Sequence, residues 1–313
     1  MSAREALLAR LGRIDPPPAQ AQARVDRRFV WDGVGFERWR LDGPRDTITG
    51  YFLLDEKADR PAPGLLALHP HGRQFEVGKS LVAGLVGDGS RAYALAAARA
   101  GFAVFAPDLP GFEDRRPPLA ERKDNYALNG EAYERLLACH ALVSGATLQG
   151  WILADLSACV DRLAHDPRVD AARLSVLGQS FGGQEALFAM TLDPRLRAGV
   201  VSCGFSLVRL LVERSISHNL ALYLPGMLPD LDFDTIVAGL APRSLRVIAG
   251  VSDPIFPVDG VRAVETKARA AWEAAAAGGA LVFRYVDGGH DLPASELDAA
   301  LAWLRCALAG RAH

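Results

Sequence analysis

Three residues of this chain have the types, the neighbours and the order needed for nucleophilic chemistry: Ser180, Asp253 and His290. A serine hydroxyl attacks poorly unless a base takes its proton, and an imidazole is a good base only when an acid fixes its tautomer. Ser180 lies in LSVLGQSFGGQEA (174–186), where an apolar run enters Gly178-Gln179-Ser180-Phe181-Gly182-Gly183 and a helical pattern follows. G-x-S-x-G between a strand and a helix is a sharp turn that exposes the serine at the strand end. Side chains two residues before and after the serine would collide there, which accounts for glycine at both positions. The turn also brings the Gln179 or Phe181 amide to a helix start, where N–H groups lack helical partners. The five-residue pattern alone arises by chance in roughly one chain in ten of this length, so its partners decide its meaning.

LRVIAG (245–250) reads as a strand, and Asp253 follows just beyond it in a loop stiffened by Pro254. ALVFRYV (280–286) reads as the last strand, and His290 follows it on Asp287-Gly288-Gly289-His290-Asp291, where two glycines let an imidazole swing over the sheet edge. Serine, acid and histidine, in that order and each past a strand's carboxyl end, are what a triad on an open α/β sheet requires. Taken singly, Asp253 also fits a turn or helix cap and His290 a surface loop. Asp287 is a rival acid, but it stands only three residues from His290 on the same strand end. In the right order, the three make one signal.

The stretch LALHPHGRQFEVGKS (66–80) raises a competing chemistry, because Gly78-Lys79-Ser80 ends like a phosphate-binding loop. Such a loop has four residues between its first glycine and the Gly-Lys pair. Here five, RQFEV, separate Gly72 from Gly78, and Arg, Phe and Val would crowd a phosphate. The stretch fits better as an oxyanion loop after a strand, offering one of two backbone donors. The expected donors are the amides of His71 and Gln179, with Gly72 in reserve. His69 and His71 lie two apart with no third ligand evident, so a hydrogen-bonded loop role is expected, not a metal.

These residues need a scaffold. Strand-like runs at 29–31, 36–41 and 48–54, punctuated by Gly and Asp, read as an antiparallel meander. Beyond them, apolar runs at 64–69, 102–109, 174–178, 198–203, 245–250 and 280–286 alternate with helical patterns at about 89–100, 148–165, 183–192, 260–277 and 294–309. Strands apolar throughout and separated by helices indicate an α/β architecture, a mostly parallel sheet covered on both faces. Residues 2–13 read as an amphipathic helix ended by Pro16-Pro17-Pro18, and Gly278-Gly279 as the stop for the helix carrying the alanines 274–277. Residues 1–47 are expected to be a helix and first strands packing on the sheet, and 48–313 the core, together one domain. Residues 110–147 and 204–242 are too long for plain connections and are expected to cover something. In them Tyr126, Asn129, His218, Tyr223 and Phe233 are candidate pocket residues, core or lid packing being an equal reading for each, and Trp151 is expected in the core. Glu113, Asp114, Arg115 and Arg116 in DLPGFEDRRPP read as a solvated, salt-bridged loop.

Composition bounds the function. The net charge is −2 and only four of 35 basic residues are Lys, with no basic stripe, which argues against nucleic acid as a partner. Cys139, Cys159, Cys203 and Cys306 have no metal-like spacing and sit in apolar contexts, so buried free thiols are expected. The sequence MSAREALLARLGRID lacks the apolar core of a signal peptide, and no stretch of about 20 residues is apolar and uncharged. A cytoplasmic protein without membrane partners is the expectation; the oligomeric state is not readable.

LALHPHG (66–72), APDLPGFEDRRP (106–117), LGQSFGGQEA (177–186), GVSDPIFP (250–257) and DGGHD (287–291) together resemble the α/β-hydrolase superfamily, within it the dienelactone hydrolase and acetyl-xylan-esterase-like branch, over about residues 48–309. The resemblance implies the α/β-hydrolase fold with an eight-stranded sheet and lid insertions. It implies a Ser180-Asp253-His290 triad, an acyl-enzyme, cleavage of a carboxylic ester, and no metal or organic cofactor. Many relatives have His-Gly where this chain has His69-Pro70; Pro70 has no N–H, so the loop donor must come from residue 71 or later. Dienelactone hydrolases proper use a cysteine nucleophile, and Ser180 argues against their reaction. The same triad serves amide, peptide and carbon–carbon cleavage, and a silent hydrolase fold used for binding is the remaining alternative. A near-neutral chain with apolar insertions points to a small neutral or weakly charged ester.

Overall fold

The computed structural model describes residues 1–16, 22–87, 89–228 and 230–310. Among these residues nine strands form one sheet: β1 Ala23–Trp31, β2 Val34–Asp42, β3 Thr47–Asp55, β4 Ala62–Leu68, β5 Ala103–Pro107, β6 Val169–Gln179, β7 Leu196–Ser202, β8 Ser244–Gly250 and β9 Leu281–Val286. Their order is β1-β2-β3-β5-β4-β6-β7-β8-β9. The first three form the expected meander, joined antiparallel to β5, and all later pairings are parallel. The sheet has nine strands where eight were expected, because the run at 29–31 is the end of a full nine-residue edge strand, β1.

Among the described residues eleven α-helices surround it: α1 Ala3–Leu11, α2 Lys79–Val82, α3 Tyr93–Arg99, α4 Leu119–Arg122, α5 Gly130–Val143, α6 Leu148–Ala164, α7 Phe181–Leu192, α8 Val208–Glu213, α9 Phe233–Ala238, α10 Val258–Ala274 and α11 Ala294–Leu308. Side chains alternate across a strand, so each central strand feeds two cores. Along β4, Leu66 and Leu68 join the core under α1, α6, α7, α9 and α10, while Leu65 and Ala67 join the one under α3 and α11. This explains why the parallel strands read as apolar throughout. Ser2 caps α1 reciprocally with Glu5, and α1 closes at Gly12 with φ +69°. Pro17 and Pro18, expected to end that helix, lie outside the described residues. The α10 helix stops at Ala274, before the glycines expected to end it, because Ala276 takes the left-handed turn at φ +54°.

Because β4 to β9 are parallel, the loops after them gather at one edge. The two long insertions supply α4 and α5, and α8 and α9, over that edge. One sequence reading changes here, that of the DLPGFEDRRPP loop. Gly78-Lys79-Ser80 holds no phosphate-like cradle: the Lys79 ammonium is fully buried, 2.7 Å from Asp108 Oδ2, 2.6 Å from Glu113 Oε1 and 3.0 Å from Asp114 Oδ2. The DLPGFEDRRPP loop is not solvated either, since Arg115 is buried against Asp46 and lies 2.8 Å from Asp155. Their partners arrive from the turn before β3, the loop after β5 and α6, and a charge buried this way is stable only when paired. Lys79→Met strands three carboxylates and is expected to destabilise the fold by about 3–5 kcal/mol, read as a lower urea midpoint at unchanged slope. A shift under about 1 kcal/mol would show that this cluster behaves like a surface pair.

Candidate active site

The turn at Ser180 joins β6 to α7. Its backbone is at φ +57°, ψ −122°, a strained conformation for a residue with a side chain. The glycines make it feasible: a Cβ on Gly178 would lie 2.1 Å from the Gly182 carbonyl oxygen, and one on Gly182 would lie 1.9 Å from that of Leu68. The Ser180 amide donates to the Ser202 carbonyl at the end of β7, which ties the turn to the sheet.

Ser180, Asp253 and His290, distant in sequence, meet here. Ser180 Oγ is 2.7 Å from His290 Nε2, and His290 Nδ1 is 2.8 Å from Asp253 Oδ2. The other Asp253 oxygen accepts from the Ile255 and Phe256 amides at 2.9 and 3.0 Å. Burial pushes the Asp253 carboxyl up, but the hydrogen bond and charge of His290 and those two amides outweigh it and hold the group below the usual carboxylate range. Asp287, the rival acid, is exposed. The His290 loop rests on β7's end, where Ser202 Oγ and Cys203 Sγ donate to the Asp291 carbonyl at 3.2 and 3.4 Å. Neither residue was singled out from the sequence, since a Ser-Cys pair at a strand end carries no pattern.

His69 and His71 take different roles in their loop. His69 is fully buried; Nδ1–H donates to the Pro70 carbonyl at 2.9 Å and Nε2 accepts from the Leu109 amide at 3.0 Å. Burial pushes its pKa down to about 4. Unfolding exposes it to water at the ordinary value near 6.5. The unfolded chain therefore binds the extra proton between pH 6.5 and 4, and stability falls as pH drops through that window, by up to about 3 kcal/mol. His69→Gln should flatten that part of a stability-against-pH curve; an identical curve would remove His69 as its source.

His71 lies against Phe75, Phe112 and Phe181, accepts the Arg73 amide on Nδ1, and donates from Nε2 to Glu134 at 3.3 Å. The other Glu134 oxygen accepts the Leu220 amide at 3.0 Å, so this one carboxylate joins the 69–73 loop to both insertions. Gln179 is not at the helix start. It closes β6, and its amide lies against the Tyr93 hydroxyl. Phe181 opens α7, where amides have no carbonyl one turn behind.

A cavity of about 560 Å3 opens over Ser180, walled by His71, Glu134, Arg135, His218, Asn219 and Phe256 among others. Its wall mixes charged and polar side chains with Phe181, Leu220, Ile255 and Phe256, where apolar insertions were expected. Of the five candidate pocket residues only His218 lines it. Tyr126 points to solvent, Asn129 binds the Arg122 and Asn125 carbonyls, the Tyr223 hydroxyl accepts the His218 amide, and Phe233 is core. Trp151 is half-buried beneath Arg45. All four cysteines are free thiols, but Cys139 is exposed and Cys306 half-buried, because α5 and α11 each turn one side to solvent. Among the described residues no helix is long and apolar enough to cross a membrane.

Known proteins resemble this one in sequence and shape. YtaP of Bacillus subtilis (strain 168), which carries a provisional hydrolase name, is 27% identical over 225 residues, 71% of each chain. A glucuronoyl esterase from Solibacter usitatus superposes with TM-score 0.68 at 15% identity, over 96% of this chain and 91% of that one. An acetyl xylan esterase from Paenibacillus sp. R4 does so with TM-score 0.62 at 17% identity, over 97% and 92%. These likenesses carry the fold. The profile of the alpha/beta hydrolase fold family matches residues 81–252, over half of the chain, across the elbow and up to the residue before Asp253, and this chain belongs to the alpha/beta hydrolase family.

Proposed function

We propose that the protein is a serine hydrolase that cleaves carboxylic esters of small alcohols through a Ser180-Asp253-His290 triad and an acyl-enzyme, in the EC 3.1.1 class. The observation that carries the reading is the continuous chain from Ser180 Oγ through His290 to Asp253, at 2.7 and 2.8 Å, on a strained elbow beneath a cavity. His290 Nε2 takes the serine proton as Oγ bonds to the ester carbonyl carbon. The imidazolium then gives that proton to the departing alcohol oxygen, leaving an ester on Ser180. Water, deprotonated by the same nitrogen, attacks that ester and frees the acid and the serine. Asp253 fixes the Nδ1–H tautomer and stabilises the charged ring.

For the oxyanion, the amides of His71 and Phe181 are the better pair. Pro70 has no N–H, Phe181 is the first residue of α7, and the two rings are 5.7 Å apart. Gly72 remains the reserve. Esterase names among the fold's neighbours favour ester over amide chemistry, in the dienelactone hydrolase and acetyl-xylan-esterase-like branch. The cysteine distribution and the lack of a spanning helix among the described residues are compatible with a cytoplasmic setting.

A fluorophosphonate probe tests the reading. Labelling mapped by mass spectrometry to Ser180 and lost in Ser180→Ala is the expected result. Folded protein that stays unlabelled would favour a binding role for this fold.

A further inference from the structure

We propose that His218 is a specificity-determining residue of this site, its Nδ1 accepting a hydrogen bond from a hydroxyl carried by the ester's leaving alcohol. The inference rests on the esterase reading and adds what the alcohol must carry.

His218 enters the cavity from the second insertion and shares its wall with Ser180 and His290. The ring is held from two sides. It stacks on Phe256 with centroids 4.4 Å apart, and Nε2 lies 2.8 Å from the Ile255 carbonyl oxygen. A carbonyl only accepts, so Nε2 carries the proton and Nδ1 is left as a bare acceptor. Among the described residues Nδ1 has no donor, and it is not one of the buried polar atoms lacking partners, so it is open to the cavity. Burial also disfavours protonation of the ring, which keeps the acceptor available. Its anchors are the residues whose amides hold Asp253, at 2.9 and 3.0 Å, so one turn aligns both the triad acid and this acceptor.

Position tells which part of the substrate meets it. Phe256 stands 5.8 Å from the ring of His290, the group that gives its proton to the leaving oxygen in the proposed reaction. A group reaching His218 there belongs to the alcohol. The next residue, Asn219, supplies the complement. Its Oδ1 accepts the Leu222 amide at 3.1 Å, which fixes the amide's orientation, and one Nδ2 hydrogen goes to Gln184 Oε1 at 3.0 Å. The second Nδ2 hydrogen remains. An acceptor and a donor on residues of one cavity wall suit a hydroxyl, which both donates and accepts. An alkyl chain would desolvate both without replacing their water.

The test compares kcat/KM for 1-O-acetylglycerol and propyl acetate in the wild type, His218→Phe and His218→Gln. The wild type is expected to favour the glycerol ester by about 10–100-fold. Phe keeps the stack on Phe256 without an acceptor, and the ratio should fall to near one. Gln can donate to the Ile255 carbonyl and still present Oε1, and should restore part of the preference. Both esters are assayed on the same preparation, so any loss of folded enzyme cancels in the ratio. A wild-type ratio near one, an unchanged ratio in His218→Phe, or a probe-labelled enzyme that cleaves neither ester overturns the role of His218 and leaves the serine hydrolase standing. A wild type that cleaves neither ester and takes no probe overturns the hydrolase reading, and the inference with it.

Discussion

Ser180→Ala is expected to lower kcat/KM for an activated ester by about 10⁵–10⁶-fold, or about 7–8 kcal/mol of barrier. The loss is that large because no covalent intermediate can then form, and His290 has no hydroxyl to deprotonate. What survives is the contribution of the cavity and of backbone donors aimed at the oxyanion, worth about 10³-fold over water. Stability should move by less than about 1 kcal/mol. The side chain of Ser180 makes a hydrogen bond to His290 and no other that the structure records, and alanine meets the same backbone strain at φ +57° as serine does. Steady-state kinetics beside a thermal melt separates the effects. A variant that melts normally and keeps a tenth of the activity would remove Ser180 as the nucleophile.

Asp253→Asn should cost about 10⁴-fold in kcat with little change in KM. The argument runs through the tautomer. One Asp253 oxygen is committed to the Ile255 and Phe256 amides, so asparagine must keep its oxygen there and turn its NH₂ toward His290 Nδ1. An NH₂ donates, so Nδ1 becomes the acceptor and the ring proton moves to Nε2. That nitrogen then faces Ser180 Oγ with a hydrogen and cannot take the serine proton. Asp287→Asn, on an exposed carboxyl of the same loop, is the control and should leave kcat within twofold. Equal losses in the two variants would mean that His290 is oriented by loop charge and not by one carboxylate.

Much of this was legible in the order of the residues. The elbow glycines and the alternation of apolar runs with helical patterns report local rules, steric exclusion at a tight turn and burial of a strand on both faces, and such rules act over a few residues. That is why Gly178, Ser180 and Gly182, and the approximate places of the nine strands, could be read off directly. The chain order of Ser180, Asp253 and His290 followed from the same logic, since each stands just past a strand and the parallel sheet brings those ends together.

Other features were decided only when distant segments met. Arg115 read as a solvated charge and Lys79 only as part of a Gly-Lys-Ser triplet, because nothing local reveals that Asp108, Asp46 and Asp155 enclose them; burial of a charge depends on partners that the fold supplies. The sequence reading chose the Gln179 amide as a donor, and it could not show that Gln179 closes β6 while Phe181 opens α7. The cavity wall was the least legible part. Glu134 and Asn219 carry no motif, and they come to one cavity wall only where the two insertions fold against the 69–73 loop. The sequence by itself determined that Ser180, Asp253 and His290 stand just past strand ends, because strand ends and tight turns are set by near neighbours. The tertiary structure decided what surrounds them, because side chains far apart in the chain become hydrogen-bonding partners only through packing.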